Sequence, residues 1–134
     1  MKVCLKYRKS ALEEQEVQIV KDFTSYLQSQ LPLKTDITIN LVPERLSSMT
    51  TGLRLPHSQI YVLADKRILI DILRTLSHEW VHEFQHQKLG VKDFAKTPDI
   101  GGPVENMANI LSGIFMKKYQ KLKPEYSSLL YGEE

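Results

Sequence analysis

The chain has 134 residues, 42% of them apolar and 25% charged, a composition that allows one packed core and excludes extended disorder. Its 18 Lys and Arg against 16 Asp and Glu leave a net charge of +2, which is too small to indicate a nucleic-acid-binding surface. We therefore expect one domain over residues 1–134, of which residues 123–134 form a C-terminal tail.

Cysteine content and apolar runs predict where the protein resides. Cys4 is the single cysteine, so an internal disulfide and a cysteine-rich zinc site are both excluded. The N-terminal stretch has no apolar run of signal-peptide length, and the densest run, RILIDIL, is interrupted by Asp71 and too short to cross a bilayer. We predict a cytoplasmic protein without membrane contact, while export by a route that needs no such signal stays open.

The N-terminal half predicts one helix and then strands. Ser10 and Glu13 have capping-box spacing at the start of an amphipathic segment, which predicts a helix from Ser10 to Leu31. In DITINLV, residues 36–42, apolar and polar residues alternate with the period of a half-buried strand. The stretch LRLPHSQIYVLAD, residues 53–65, adds one or two short strands, so we expect a small sheet.

The C-terminal half predicts two further helices. Asp65 is a candidate N-cap for a long helix from about Lys66 to Leu89, which Gly90 would end. Apolar residues follow helical spacing along it: Leu69, Leu73, Leu76, Trp80 and Phe84. Pro103 is a favourable first residue for another helix, which extends to about Leu122. This order predicts an α+β domain with helices against one face of the sheet.

Residues 77–86, SHEWVHEFQH, contain three of the four histidines. His78 and His82 are four residues apart, so on a helix both imidazoles project from one face and can bind one metal ion. Glu79 follows His78 directly, where its carboxylate can reach a water molecule held by that ion. On this pattern alone, two ordinary helix histidines remain an alternative, and the metal interpretation needs a third ligand.

Three residues are candidates for that ligand. His86 is on the same helix but about 12 Å from His78 along its axis, which is too far to share the ion. Asp99 lies in the following loop, from which a carboxylate can reach back. Glu105 lies in the first turn of the next helix, and ligands on rigid elements are held more precisely, which favours Glu105.

The motif His78-Glu79-x-x-His82, followed by Glu105-Asn106-Met107-Ala108-Asn109 at the start of an apolar helix, resembles the gluzincin metallopeptidases. The similarity is greatest to the minigluzincins and the ImmA/IrrE-type proteins, and it covers about Ile60 to Phe115. It implies a minimal zincin-like domain, in which a small mixed sheet packs against a long active-site helix and further helices. The resemblance does not extend to the helix-turn-helix domain that often accompanies ImmA/IrrE proteins, so we do not expect their regulatory role here.

The resemblance implies that His78, His82 and Glu105 bind one zinc ion and that Glu79 is the catalytic base. Structural zinc sites use four protein ligands, whereas three ligands and one open position are typical of a catalytic zinc. We therefore expect a small zinc-dependent endopeptidase, with a zinc-activated water as nucleophile and a protein or peptide as substrate. The alternative is a zinc-binding adaptor or regulatory module with little or no activity, and the presence of Glu79 favours the enzyme.

Further roles around the site are expected for individual residues. Asn109, four residues after Glu105, is predicted to orient a zinc-bound imidazole by a hydrogen bond. Gln59, Ile60 and Tyr61 are predicted to form an edge strand to which a substrate peptide adds. The residue that stabilises the oxyanion stays open among five candidates: His57, His86, Tyr119, Tyr126 and Tyr131. The tail after Pro124 is either packed, disordered or folded over the cleft, and the sequence does not determine the oligomeric state.

Overall fold

The computed structural model of the chain describes residues 1–8, 12–46, 51–90 and 102–132. These residues form four strands, four α-helices and one 3-10 turn, which confirms the predicted α+β class. In chain order they are β1 (Val3–Lys6), α1 (Glu14–Gln30), β2 (Ile37–Val42), β3 (Gly52–Leu55), β4 (Gln59–Leu63), α2 (Leu69–Leu89), α3 (Pro103–Leu122), the turn (Pro124–Tyr126) and α4 (Ser127–Tyr131).

The four strands form one mixed sheet in the order β1-β2-β4-β3. β1, β2 and β4 run parallel, and β3 runs antiparallel to β4. In β2 the predicted alternation is confirmed, since Ile37, Ile39 and Leu41 are buried between less buried neighbours. The expectation that Gln59–Tyr61 belongs to an edge strand is wrong, because β4 is paired on both sides. The edge strand that contacts α2 is β3 instead.

Helix α1 begins later than predicted. Its N-cap is Glu13, whose backbone N–H donates to Glu16 Oε1 at 3.0 Å, so the capping pair is Glu13 with Glu16. The expected start at Ser10 is therefore wrong, and Ser10 itself lies outside the described residues. The helix buries Val17, Val20, Phe23 and Leu27 and ends at Gln30, close to the predicted end.

Helix α2 also begins later than predicted. Lys66 has a φ of 57°, a left-handed conformation that a helix cannot include, and the N-cap is Ile68 in place of Asp65. The predicted end is confirmed, since Gly90 is the left-handed cap with a φ of 75°. Along the predicted apolar stripe Leu69, Leu73, Leu76 and Trp80 are fully buried, and Phe84 is partly buried.

Helix α3 has the predicted bounds, Pro103 to Leu122. It packs against α2, and Ala108, Ser112 and Phe115 are on its buried face, whereas Ile110 is 61% exposed. The segment after it is folded, since α4 contacts α2 and Leu130 is buried in the core.

The buried apolar side chains of the described residues form a single cluster that extends from Leu12 to Leu130. Helix α2 is central to this cluster, because it contacts the sheet on one side and α1, α3 and α4 elsewhere. This central position places both histidines of the motif between the antiparallel edge strand and α3. Within the described residues, no helix combines the length and the apolar character that a bilayer crossing requires.

Candidate metal centre and active site

Three side chains from two helices converge beside the edge strand. The Nε2 atoms of His78 and His82 on α2 are 3.1 Å apart. Glu105, in the first turn of α3, places Oε1 2.6 Å from His78 Nε2 and Oε2 3.2 Å from His82 Nε2. One ligand atom from each residue thus lies within 4.8 Å of the others. The structure brings together the three residues that the sequence predicted as ligands.

The spacing and chemistry of these atoms fit a zinc ion. Metal–ligand bonds of about 2.0 to 2.1 Å in a tetrahedral site place neighbouring ligand atoms about 3.3 Å apart. The separations of 3.1 Å between the two nitrogens and 3.2 Å between His82 and Glu105 are close to that value. His78 Nε2 and Glu105 Oε1, 2.6 Å apart, are closer and have the separation of a direct hydrogen bond. Two imidazoles and one carboxylate are also a donor set found at catalytic zinc sites.

The surroundings of His78 favour its neutral form. Burial, followed by the neighbouring His82, lowers the pKa of His78 below the ordinary value for a histidine, and the carboxylate of Glu105 opposes the shift. A neutral imidazole has a free lone pair, which metal binding requires.

Glu79 lines the same cleft as the three candidate ligands. Its side chain is buried, and among the described residues no hydrogen bond or ion pair reaches its carboxylate. Burial, and then the charge of Glu105, raises the pKa of Glu79 to about 8, while Arg54 opposes the shift. A buried carboxylate with a raised pKa at a cleft is a typical general acid or base.

The edge strand approaches Glu79 closely because residue 52 is glycine. A Cβ atom at Gly52 would lie 2.5 Å from Thr75 Cγ2, which is closer than packed atoms allow, and 3.0 Å from Glu79 Oε2, which is a tight contact. The backbone of β3 therefore lies directly against the side of α2 that carries Glu79.

Gln85 connects the histidine helix to the carboxylate helix. Its side chain is buried, with Oε1 2.8 Å from His82 Nδ1 and Nε2 donating to the backbone carbonyl of Val104 at 2.9 Å. Val104 directly precedes Glu105 in the first turn of α3. The amide thus contacts one candidate ligand and the residue adjacent to another.

A second buried carboxylate, Glu83, links the edge strand β3 to helix α2. It pairs with Arg54 Nε at 2.8 Å and accepts hydrogen bonds from Ser58 Oγ at 3.1 Å and Gln87 Nε2 at 2.6 Å. Arg54 belongs to β3, and Ser58 lies in the connection from β3 to β4. This network fixes the β3–β4 hairpin to α2, one helical turn beyond Glu79.

The candidate ligands lie in a cleft of about 520 Å³ between β3, α2 and α3. Its described lining includes residues 51–54 of the edge strand region and Arg74, Thr75, Asn109, Ser112 and Gly113 of the two helices. None of the five candidates for oxyanion stabilisation lines this cleft within the described residues. Tyr119 donates to Asp22 Oδ2 at 2.7 Å and Tyr131 donates to Gln120 Oε1 at 2.7 Å. Among the described lining residues, Arg54 and Arg74 are cationic.

The remaining predicted site residues differ from expectation. Asn109 is exposed at the cleft, and within the described residues no hydrogen bond joins its side chain to either histidine; Gln85 contacts His82 instead. Gln59, Ile60 and Tyr61 of β4 are paired with β2 and β3, so they do not offer a free strand edge. His86 is not part of the three-residue cluster, as predicted, and Asp99 lies outside the described residues.

The C-terminal segment up to residue 132 does not contribute to the cleft, whose described lining ends at Gly113. Leu130 is packed in the core, and Gly132 lies near Ile68 at the start of α2. Of the states left open for the tail, the packed one is present in the described part.

Sequence reasoning missed Gln85, Arg54 and Gly52. Gln85 had a local signal, because a residue three positions after His82 lies on the same helix face. Arg54 and Gly52 had none, because their contacts with α2 depend on the strand order.

Comparison with known proteins identifies no relative of this chain. No family model matches the chain, and no curated protein and no solved structure matches it either. The geometry of the site is therefore the basis for a function.

Proposed function

We propose that the protein is a small zinc-dependent endopeptidase with a minimal zincin-like domain. The observation that carries this proposal is the convergence of His78, His82 and Glu105 beside a buried carboxylate, Glu79, that has no hydrogen bond or ion pair among the described residues. These four groups have separate roles, since three are ligands and the fourth is left free at the cleft. The resemblance of both motifs to gluzincins supports the same assignment.

The residues of the chain supply binding and proton transfer. A zinc ion held by His78, His82 and Glu105 would supply a Lewis acid that lowers the pKa of water and polarises a carbonyl group. Glu79 takes the proton from the attacking water and delivers it to the nitrogen of the departing amine. Its burial favours this exchange, because a carboxylate with a raised pKa holds the proton between the two steps.

The edge strand β3 is the proposed place for the substrate backbone. β3 is the last strand of the sheet, and its residues Gly52, Leu53 and Arg54 line the cleft. An extended peptide can add to such an edge by main-chain hydrogen bonds. The close approach of Gly52 to Glu79 would bring the scissile bond near the base. This proposal replaces the prediction that β4 binds the peptide.

The competing function, a zinc-binding adaptor, needs the three ligands but has no use for Glu79. Burying a carboxylate without a hydrogen-bonding partner destabilises a protein, so its retention is easier to explain by catalysis. The position of Glu79 therefore favours the enzyme.

Metal analysis combined with a cleavage assay tests the proposal. Purified wild type, Glu79→Gln and His82→Ala are compared for zinc content and for cleavage of an unstructured peptide mixture, with products identified by mass spectrometry. We expect zinc in the wild type and in Glu79→Gln, loss of zinc from His82→Ala, and cleavage by the wild type alone.

His86→Ala is the matched control, because His86 is on the same helix but outside the ligand cluster. It should retain zinc. Zinc in the wild type without any cleavage would favour the adaptor, and equal cleavage by Glu79→Gln would exclude the assigned base.

A further inference from the structure

We infer that Gln85 is a positioning residue that sets the tautomer of His82 and holds the two ligand-bearing helices in register. This inference rests on the proposed zinc site. It concerns a residue outside both sequence motifs, and it follows from the direction of two hydrogen bonds.

The first hydrogen bond fixes the orientation of the Gln85 amide. The backbone carbonyl of Val104 can only accept, so the group 2.9 Å from it must be the NH2 of Gln85. The amide oxygen then faces His82 Nδ1 at 2.8 Å. Because that oxygen is an acceptor only, Nδ1 of His82 must carry a hydrogen.

A neutral imidazole has one N–H group, so a hydrogen on Nδ1 leaves Nε2 with a free lone pair. His82 Nε2 is the atom that lies 3.1 Å from His78 Nε2 and 3.2 Å from Glu105 Oε2. Gln85 therefore presents the ligating nitrogen of His82 to the site in the form that a metal requires.

The hydrogen bond to Val104 also has a separate effect on α3. Val104 is adjacent to Glu105 in the first turn of α3, whereas Gln85 belongs to α2. The Gln85 amide joins them directly at the level of the ligands, so the carboxylate is held at a defined distance from the histidines. The amide is 1% exposed, so water does not readily replace it in either contact.

Two substitutions separate the effects. Gln85→Leu removes both hydrogen bonds while keeping an apolar side chain of related size. Gln85→Glu keeps an acceptor for His82 Nδ1 but replaces the group that donates to Val104. We expect zinc dissociation constants in the order wild type, then Gln85→Glu, then Gln85→Leu, the last weaker by about 10- to 100-fold.

Gln87→Leu is the matched control for a loss of side-chain hydrogen bonds from the same helix. Gln87 is on the same helix, donates to Glu83 Oε2 at 2.6 Å and accepts from the backbone N–H of Lys34 at 2.8 Å. It contacts none of the candidate ligands. Its loss should lower thermal stability, while zinc affinity changes by less than about 2-fold.

The test uses the full chain and two measurements. Competition with a chromophoric chelator gives the zinc affinity of each variant, and 15N NMR of the metal-free protein gives the tautomer of His82. The inference expects the Nδ1–H form in the wild type and in Gln85→Glu, and a shift toward the Nε2–H form in Gln85→Leu. An Nε2–H tautomer in the wild type would overturn it, as would an unchanged zinc affinity in Gln85→Leu.

These outcomes also separate this inference from the proposed function. The predicted order of zinc affinities without any peptide cleavage would refute the peptidase and support the role of Gln85. Peptide cleavage by the wild type, together with an unchanged zinc affinity in Gln85→Leu, would support the peptidase and refute the role of Gln85. A wild type that binds no zinc would overturn both.

Discussion

Two carboxylates on one helix, Glu79 and Glu83, lie a single turn apart and have opposite surroundings. Glu83 is fully buried and has an ion pair to Arg54 and hydrogen bonds from Ser58 and Gln87. Glu79 is 7% exposed, has no hydrogen bond or ion pair within the described chain and lines the cleft. The same chemical group thus links the edge strand to the helix at one position and, within the described residues, is left without a partner at the other.

The difference shows which groups the fold leaves available for chemistry. A buried charge is normally compensated, because an uncompensated one destabilises the folded state. Glu83 follows this rule, and its partners hold the edge strand in place. Glu79 departs from it at the point where the three candidate ligands converge. The departure is therefore a functional indication that Glu83 does not give.

Removing each carboxylate should affect catalysis very differently. We expect Glu79→Gln to lower the rate of peptide cleavage by at least about 100-fold, because it removes the general base. Glu83→Gln should lower the rate per folded molecule much less, and only through displacement of β3, since its side chain has no hydrogen bond or ion pair to a candidate ligand within the described residues. Initial rates at equal zinc content measure both. Similar losses of cleavage rate in the two variants would contradict separate roles for Glu79 and Glu83.

The free energy of unfolding should depend more on Glu83 than on Glu79. Glu83→Gln removes one charge of the buried ion pair with Arg54, and we expect it to lower the free energy of unfolding by about 3 to 5 kcal/mol. Urea unfolding measures the change. The double variant Glu83→Leu/Arg54→Met is the control, because it removes both charges and should be less destabilised than Glu83→Gln. A single variant as stable as wild type would show that the pair does not anchor β3.

Glu79→Gln should stabilise the metal-free protein. The pKa of Glu79 is raised from 4.5 to about 8, so its contribution to stability is present below pH 4.5 and lost as the pH rises through about 8. At pH 7 the wild type has lost most of this contribution to stability. The glutamine side chain of Glu79→Gln never ionises, so the variant has no such loss. We expect a gain of about 1 to 3 kcal/mol at pH 7 and none near pH 4, measured by urea unfolding in chelator. A loss of stability at pH 7 would contradict the unpaired state of Glu79.

The contact between the edge strand and Glu79 can be tested at Gly52. Gly52→Ala places a Cβ against Thr75 and Glu79, so the strand must move, and we expect a loss of about 1 to 3 kcal/mol together with slower cleavage. Gly113→Ala is the control, because a Cβ there meets nothing within 4 Å and a helical alanine should add about 0.5 to 1 kcal/mol. Equal stability of the two variants would argue against the close approach.

The smallest effect is expected at Asn109. Its side chain is exposed and bonds neither histidine within the described residues, so Asn109→Ala should leave zinc affinity within about 2-fold of wild type. Chelator competition measures this. A loss comparable to that of Gln85→Leu would restore the role that the sequence predicted for Asn109.

Local signals in the sequence predicted much of this structure. Pro103 and Gly90 set helix ends correctly, because a proline at the first position and a left-handed glycine act within one turn. The pair of motifs placed His78, His82 and Glu105 together, since fixed helical spacing controls two of them. The start of α2 was missed because nothing in the sequence indicates that Lys66 adopts a positive φ.

Long-range contacts account for what the sequence could not predict. The position of β4 inside the sheet follows from pairing with both β2 and β3, which no local pattern encodes. The partners of Glu83 come from the hairpin and from its own helix, so its burial with Arg54 is visible only in three dimensions. The lack of a partner for Glu79 among the residues that the structure describes likewise depends on the three-dimensional arrangement.

Crystals of the zinc-loaded full chain, with an anomalous difference map recorded at the zinc absorption edge, test the central claim most directly. We predict one zinc ion bonded to Nε2 of His78, Nε2 of His82 and a carboxylate oxygen of Glu105 at about 2.0 to 2.2 Å, with no fourth protein ligand. Zinc bound elsewhere, or bound to both histidines with Glu105 beyond bonding distance, would contradict this account.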